Sequence, residues 1–322
     1  MKVTILGAGA YALALSKVIY ENTKDITIWS AVSDEVALLN KERSNKKALD
    51  YKLPDEIKIT DNLKDAVKNS DVIVIAVTCK FISNVCHNLK KYIKDQHLVV
   101  ASKGIEQGSC LFVSQIVKKI IKTRKIAVIS GPSFAKDLIS DMPTGLALGT
   151  KYKPTERMVK NVFQSKYLNV IATNDILGIE ICGSIKNVIA IASGMLNGMG
   201  ATDSTKAMFL TDSLHDVKSL IKNLGGNDRT ILSYAGFGDI LLTCTSTNSR
   251  NYTLGDMIGK GTKKEDIDKY MQSTTIEGLY TLNSIYDLIN KKKVQMPIID
   301  LIYSIIYEGN DPHNILTHLT KR

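Results

Sequence analysis

The N-terminus constrains the fold most. Lys2-Val3-Thr4-Ile5-Leu6 reads as a short buried strand, Gly7-Ala8-Gly9 follows at once, and Ala10 to Val18 reads as the start of a helix. A strand that turns through glycines into a helix aims bare backbone N–H groups and the positive helix end at one point. That arrangement suits the pyrophosphate of a dinucleotide. The pattern is Gly7-x-Gly9-x-x-Ala12, and alanine at its third position still permits close helix–strand packing. A lysine before an apolar run also has the outline of a secretory signal peptide. The glycines sit too early for an apolar signal core, however, and Ile26-Thr27-Ile28-Trp29 follows at the spacing of a second strand. The segment is read as structure.

Alternation of strand and helix continues through the first half. Asp71 to Val77, His97 to Ala101, Lys125 to Ser130, Gly145 to Gly149 and Asn169 to Ala172 are apolar runs of strand length, separated by amphipathic stretches. Such a pattern predicts an α/β fold: a Rossmann-like, doubly wound, mostly parallel sheet. Tyr51 to Asn62, with Pro54 and few core residues, reads as a loop. From about Asp175 strand runs vanish. Helical periodicities replace them over Ile176 to Leu196, Thr205 to Leu224, Lys264 to Met271, Ile276 to Asn290 and Pro297 to Glu308. Gly225-Gly226-Asn227 and Gly309-Asn310-Asp311-Pro312 are helix stops. The expected organisation is a dinucleotide-binding domain over 1–175 and an all-helical substrate and catalytic domain over 176–322, with the active site in a cleft between them.

Composition narrows the function classes. The chain of 322 residues carries a net charge of +10, but its lysines and arginines are scattered. The runs Lys90-Lys91, Lys118-Lys119 and Lys291-Lys292-Lys293 read as solvated helix faces, without the aromatic interleaving of a single-strand binder. Nucleic-acid binding is not expected, and the basic excess suits anionic small molecules. Five cysteines at irregular spacings, without a CxxC pair, predict reduced thiols in a cytoplasmic protein. The five histidines are equally scattered, so no metal site is expected. No stretch reaches the roughly 18 uninterrupted apolar residues of a membrane helix, so a soluble chain without membrane insertion is expected.

Three features can carry chemistry. Ser102-Lys103-Gly104-Ile105-Glu106 and Gly131-Pro132-Ser133-Phe134-Ala135 each follow directly on a strand, which puts Lys103 and Ser133 at the carboxyl edge where ligands bind in such sheets. Taken alone, Lys103 reads equally as a solvated loop lysine. Lys186 stands in Ile181 to Ala192, which is apolar nearly all round and therefore buried. A buried lysine snorkels out, pairs with a carboxylate or faces a functional cleft, and the cleft is the favoured reading. Desolvation there would make it a usable proton donor or acceptor. Ala235-Gly236-Phe237-Gly238-Asp239 and Asn248-Ser249-Arg250-Asn251 form the third feature: glycines before an aspartate, then a compact donor cluster whose arginine fork matches phosphate. A capped helix start followed by a polar turn is the plainer reading of that stretch.

Taken together, these segments resemble the NAD(P)-dependent glycerol-3-phosphate dehydrogenases of the bacterial type. The resemblance runs in order through Gly7-Ala8-Gly9-Ala10-Tyr11, Ser102 to Glu106, Ile129 to Ala135, Cys182 to Met195, Ala235 to Cys244, Asn248 to Asn251 and Thr275-Ile276-Glu277-Gly278. It implies reversible hydride transfer between NAD(P)H and dihydroxyacetone phosphate, giving sn-glycerol 3-phosphate for phospholipid synthesis, and it implies a homodimer. Lys186 would be the acid/base residue and Asp239 its partner. Lys103, Gly131, Ser133, Ser249, Arg250 and Asn251 would line the substrate, with Arg250 on its phosphate. Gly7, Gly9, Ala10, Tyr11, Ala31, Lys103, Ala135, Arg250, Thr275 and Glu277 would meet the dinucleotide, with Asn187 and Thr243 as further contributors.

The chain departs from the family's pattern in three places. Trp29-Ser30-Ala31 lacks both the cation that suits a 2′-phosphate and an acid at the strand end that would select NAD, so the choice of cofactor is open. Lys41, Arg43, Lys46 and Lys47 could supply a cation from the following loop, but solvated loop charge is the favoured reading. Thr78-Cys79-Lys80 replaces a proline–serine, and Asp212-Ser213-Leu214 an arginine–glycine–leucine. Two other functions fit the same plan: another two-domain hydroxyacid or hydroxyacyl dehydrogenase, and a dinucleotide-binding homologue without turnover.

Overall fold

The computed structural model describes residues 1–321, and these divide into two compact units. Met1–Lys103 and Val113–Ile176 form the first, while Gly104–Phe112 and Leu177 onward form the second.

In chain order the first unit runs β1 (Val3–Leu6), α1 (Ala10–Tyr20), β2 (Ile26–Trp29), α2 (Ser33–Glu42), β3 (Lys58–Thr60), α3 (Leu63–Val67) and β4 (Val72–Ile75). It continues with α4 (Ile82–Leu89), β5 (His97–Val100), α5 (Val113–Ile121), β6 (Ile126–Ser130), α6 (Ala135–Leu138), β7 (Thr144–Gly149), α7 (Lys153–Phe163) and β8 (Leu168–Thr173). The strands make one eight-stranded sheet in the order β3-β2-β1-β4-β5-β6-β7-β8. Every residue of β1, β2, β4 and β5 is buried, as expected of parallel strands covered by helices on both faces. Among the described strands of this sheet only β6 and β7 pair antiparallel. The helix between them, α6, is four residues long, too short for the crossover that a parallel return needs.

The stretch read as a loop over 51–62 contains β3, which pairs parallel with β2 from Thr27 opposite Lys58 to Trp29 opposite Thr60. It is a three-residue edge strand with a single buried apolar residue, Ile59. One side chain carries no periodicity, so only its neighbour β2 reveals it.

The chain runs β1, β2, β3 to one side and then returns with β4 to the other side of β1. The carboxyl ends of β1 and β4 thus mark the switch point, where ligands bind in such sheets.

The second unit is helical: α8 (Ile176–Gly198), α9 (Asp203–Asn223), α10 (Asp239–Thr245), α11 (Arg250–Gly259), α12 (Lys264–Ser273), α13 (Glu277–Lys292), α14 (Pro297–Tyr307) and α15 (Asn314–Lys321). It is built around α8, which is buried without a break from Gly178 to Leu196. By length and composition alone α8 would pass for a membrane span, despite its lysine and asparagine, but it lies inside the unit's own core. Against it packs α11, with backbone touching backbone. A Cβ on Gly194 would stand 2.0 Å from the Tyr252 carbonyl oxygen, and one on Gly255 1.8 Å from that of Ile191. Gly198 and Gly259 repeat the contact one turn on. The result is that α11 begins close beside the middle of α8.

Gly104–Phe112 belongs to this unit because its apolar side chains do. Ile105, Cys110 and Phe112 join the helical core. Gly104 N–H donates to Ser184 Oγ at 3.2 Å, and Lys291 Nζ donates to the Gly108 carbonyl at 3.1 Å. Lys291 is therefore not simply a solvated helix lysine.

Candidate active site

In the first unit the glycine turn sits at the switch point. Gly7 adopts φ +122°, and a Cβ there would lie 2.6 Å from the Ala76 carbonyl oxygen at the end of β4, so both conformation and space require glycine. Its N–H donates to the Trp29 carbonyl at 2.7 Å, tying the turn to the end of β2. Gly9 is the N-cap of α1 and provides no side-chain cap; a Cβ on it would meet nothing within 4 Å. The first turn of an eleven-residue helix thus presents its N–H groups to open space, and this fits the pyrophosphate of a dinucleotide. Ala10 opens that helix, and Tyr11 Oη lies 3.1 Å from Ser133 Oγ, which in turn donates to the Gly131 carbonyl at 3.0 Å. Gly131 and Ser133 follow β6, and Ala135 begins α6. Lys103, half-buried, lies in the loop after β5, where Ser102 Oγ donates to the Val77 carbonyl at 2.5 Å. Ala31 is exposed just beyond β2.

In the second unit the chemistry centres on Lys186. It is 8% exposed, in the fully buried stretch of α8, and its Nζ donates to Asp239 Oδ1. Asp239 is completely buried at the first residue of α10. Of the ways to accommodate a buried lysine, the structure uses pairing with a carboxylate. Asp239 is aimed by the segment before it. Tyr234–Gly238 is a wide helical turn broken at Gly236, whose Cβ would stand 2.2 Å from the Ile231 carbonyl. Behind the pair, α10 is pinned to α8: Ser193 Oγ donates to the Cys244 carbonyl at 2.7 Å, and the Cys244 thiol lies 4.0 Å from the Lys186 carbonyl. Burial pushes the Cys244 thiol far up, which keeps it a neutral spacer beside the ion pair. Thr243 Oγ1 donates to the Asp239 carbonyl at 2.6 Å, a contact within α10.

A second network joins α8, α11 and α13. Asn187 Nδ2 donates to Glu277 Oε2 at 3.2 Å, and Gly278 N–H donates to Asn251 Oδ1 at 2.9 Å. Ser249 Oγ caps α11 by accepting from Tyr252 N–H at 3.3 Å. Ser249 and Asn251 are both buried and both already hold backbone, whereas Arg250 between them is exposed. Thr275 is exposed just before α13. Within this unit the structure therefore groups Lys186 with Asp239, and Asn187, Asn251 and Glu277 around the start of α13. The small-residue spacing Gly194-x-x-x-Gly198 and Gly255-x-x-x-Gly259, which sets α11 against α8, escaped the sequence reading although the repeats are visible in it. Among the described residues no group of three or more His, Cys, Asp or Glu side chains is placed to hold a metal.

The glycine turn at the switch point and the lysine–aspartate pair in a helical unit define the class: a nicotinamide-dependent oxidoreductase. The family of NAD-dependent glycerol-3-phosphate dehydrogenases matches the chain twice, its N-terminal part over residues 2–156 and its C-terminal part over 175–317. A glycerol-3-phosphate dehydrogenase [NAD(P)+] of Staphylococcus epidermidis is 36% identical over 312 residues, covering 95% of this chain and 94% of its own length. One from Staphylococcus aureus is 34% identical over 328 aligned residues, covering 100% and 98%. The crystal structure of glycerol-3-phosphate dehydrogenase from Coxiella burnetii superimposes with a TM-score of 0.93 at 28% identity, covering 100% of this chain and 99% of that one. The chain belongs to the NAD(P)-dependent glycerol-3-phosphate dehydrogenases.

Proposed function

We propose that the chain reduces dihydroxyacetone phosphate to sn-glycerol 3-phosphate, and runs the reverse, with Lys186 as the proton donor and acceptor. The buried Lys186–Asp239 pair carries this reading. A buried ion pair is a poor way to gain stability, since well-packed apolar residues do as well or better. Its use is to hold one ammonium in a fixed place out of water.

A bound nicotinamide supplies the hydride. The chain supplies the rest. Lys186 Nζ delivers a proton to the C2 oxygen as that oxygen gains charge, and Asp239 keeps the ammonium charged and oriented. Lys103 adds positive charge for the developing oxyanion. Arg250, exposed at the start of α11, clamps the substrate phosphate through its planar fork, so that the ketone is presented in one orientation. Ser249 and Asn251 fix the backbone from which Arg250 projects.

The reading extends to a cytoplasmic homodimer. All five cysteines are buried thiols outside any disulfide, which fits a reducing compartment. Leu232 and Phe237, exposed beside Leu214 on the second unit, fit a face covered by a second copy. Sedimentation of the purified protein tests the dimer.

The activity test is direct: NADH or NADPH absorbance should fall only once dihydroxyacetone phosphate is added. A Lys186→Ala variant that kept full turnover would remove Lys186 from the reaction.

A further inference from the structure

We infer that Glu35 makes the end of β2 a site for an unphosphorylated ribose, so that this chain binds NAD(H) in preference to NADP(H). The inference rests on the dinucleotide reading of the first unit. The Gly7 N–H bond to Trp29 places the residues after Trp29 on the border of whatever the glycine turn holds. Those residues, Ser30 to Glu35, include no cation.

Ser30 is 4% exposed, and its hydroxyl donates to Glu35 Oε2 at 2.7 Å while accepting from Val32 N–H at 3.2 Å. Glu35 lies in the first turn of α2, and this bond brings its half-buried carboxylate back to the strand end. In the linear sequence the acid stands five residues beyond Ser30; in the fold it occupies the place of the strand-end acid that accepts a ribose 2′-hydroxyl. Ser30 uses Oε2, and Oε1 is the oxygen the ribose would take. A second carboxylate lies on the same rim, where Ser33 Oγ donates to Asp61 Oδ2 at 3.1 Å. A 2′-phosphate, carrying between one and two negative charges, would have to sit against these groups.

Of the cations that could offset them, Arg43 is engaged elsewhere and the others stand further along the fold. The Arg43 guanidinium donates to the Pro54 and Ile57 carbonyls, and its side chain is only 16% exposed. It staples the loop after α2 and is not the solvated charge its sequence context suggests. Lys41 pairs with Glu42 in the last turn of α2, about 12 Å along the axis from its start. Lys46 and Lys47 stand in the turn closed by the Asn45–Leu49 bridge, beyond the far end of α2. Lys80 follows β4, two strands or roughly 10 Å from β2, with its ammonium 4.9 Å from the Phe81 ring centre.

The test is isothermal titration of the cofactor-free protein with NADH and with NADPH at one ionic strength, for the native chain, Glu35→Gln, Ala31→Arg and Lys80→Ala. NADH should bind tighter by roughly ten- to a hundredfold, the worth of one charge-assisted hydrogen bond. Glu35→Gln should bring the two dissociation constants together. Ala31→Arg, at an exposed position that leaves the Ser30–Glu35 bond in place, should tighten NADPH about tenfold or more. Lys80→Ala should leave the ratio unchanged. Equal or tighter NADPH binding by the native chain overturns the preference. A ratio unmoved in Glu35→Gln, or one set by Lys80, overturns its assignment to Glu35. Failure of either cofactor to bind overturns the dinucleotide site beneath it.

Discussion

Removing the Asp239 carboxylate alone should be among the most damaging single changes in the second unit. The Lys186 side chain is 10% exposed and that of Asp239 1%, so neither charge can turn to solvent when its partner is lost. Asp239→Ala leaves a buried ammonium without its counter-ion, and breaking such a pair costs about 3–5 kcal/mol. Loss of a carboxylate from the first turn of α10 adds a helix-dipole contribution of about 0.3–1 kcal/mol, too small to dominate. At about 2–4 °C per kcal/mol for a domain of this size, the melting temperature should fall by roughly 6–20 °C. Removing both charges should behave differently. Lys186→Met with Asp239→Leu exchanges the pair for apolar groups in an apolar surround and should recover most of the lost stability. Urea unfolding followed by circular dichroism measures both, and neither variant should turn over dihydroxyacetone phosphate. The reasoning fails if Asp239→Ala lies within about 1 kcal/mol of the native chain, or if the double variant is as unstable as the single one.

Other expectations follow from the same contacts. Gly255→Ala should lower stability by about 2–3 kcal/mol in chemical denaturation, because its methyl group would overlap the Ile191 carbonyl of α8; an unchanged midpoint would mean that α8 and α11 can part freely. Arg250→Ala should raise the KM for dihydroxyacetone phosphate by roughly ten- to a hundredfold while leaving turnover of unphosphorylated dihydroxyacetone as it was, and a parallel loss on both substrates would count against the phosphate clamp. His97 begins β5 with Nδ1 2.8 Å from Thr155 Oγ1, and burial first, then the nearby Lys125, lowers its pKa from the ordinary 6.5. Folding therefore favours the neutral ring. The contribution is whole above pH 6.5 and is lost as the pH falls through the lowered folded-state value, so His97→Gln should flatten the acid side of the stability profile.

The parallel sheet and the helical second unit were legible because long segments repeat one pattern. Strands buried on both faces read as unbroken apolar runs, and α8 is apolar nearly all round and buried from Gly178 to Leu196. Short elements were not legible. β3 has one core side chain, and Gly104–Phe112 belongs to the helical core through three. The candidate site divides the same way. Lys186 is conspicuous as the lone cation of an apolar helix, but nothing local says that a residue 53 positions later neutralises it. The resemblance named Asp239, and packing of α10 on α8 accounts for where it stands. Ser249 and Asn251 each accept a backbone N–H at a helix start, a duty their side-chain oxygens take on beside the donors they keep, and only the packing of the helices shows which N–H each one meets.

By itself, then, the sequence determined the strand–glycine–helix turn, the order of elements and the presence of one buried lysine, since each follows from neighbours along the chain and from what burial permits. Tertiary structure decided who meets whom. It set Asp239 against Lys186, seated α11 on α8 through glycines, and turned Glu35 back onto Ser30 at the end of β2. Those pairings depend on distances between segments far apart in the chain, or on a helix folding back over a strand end. Local periodicity carries no record of either.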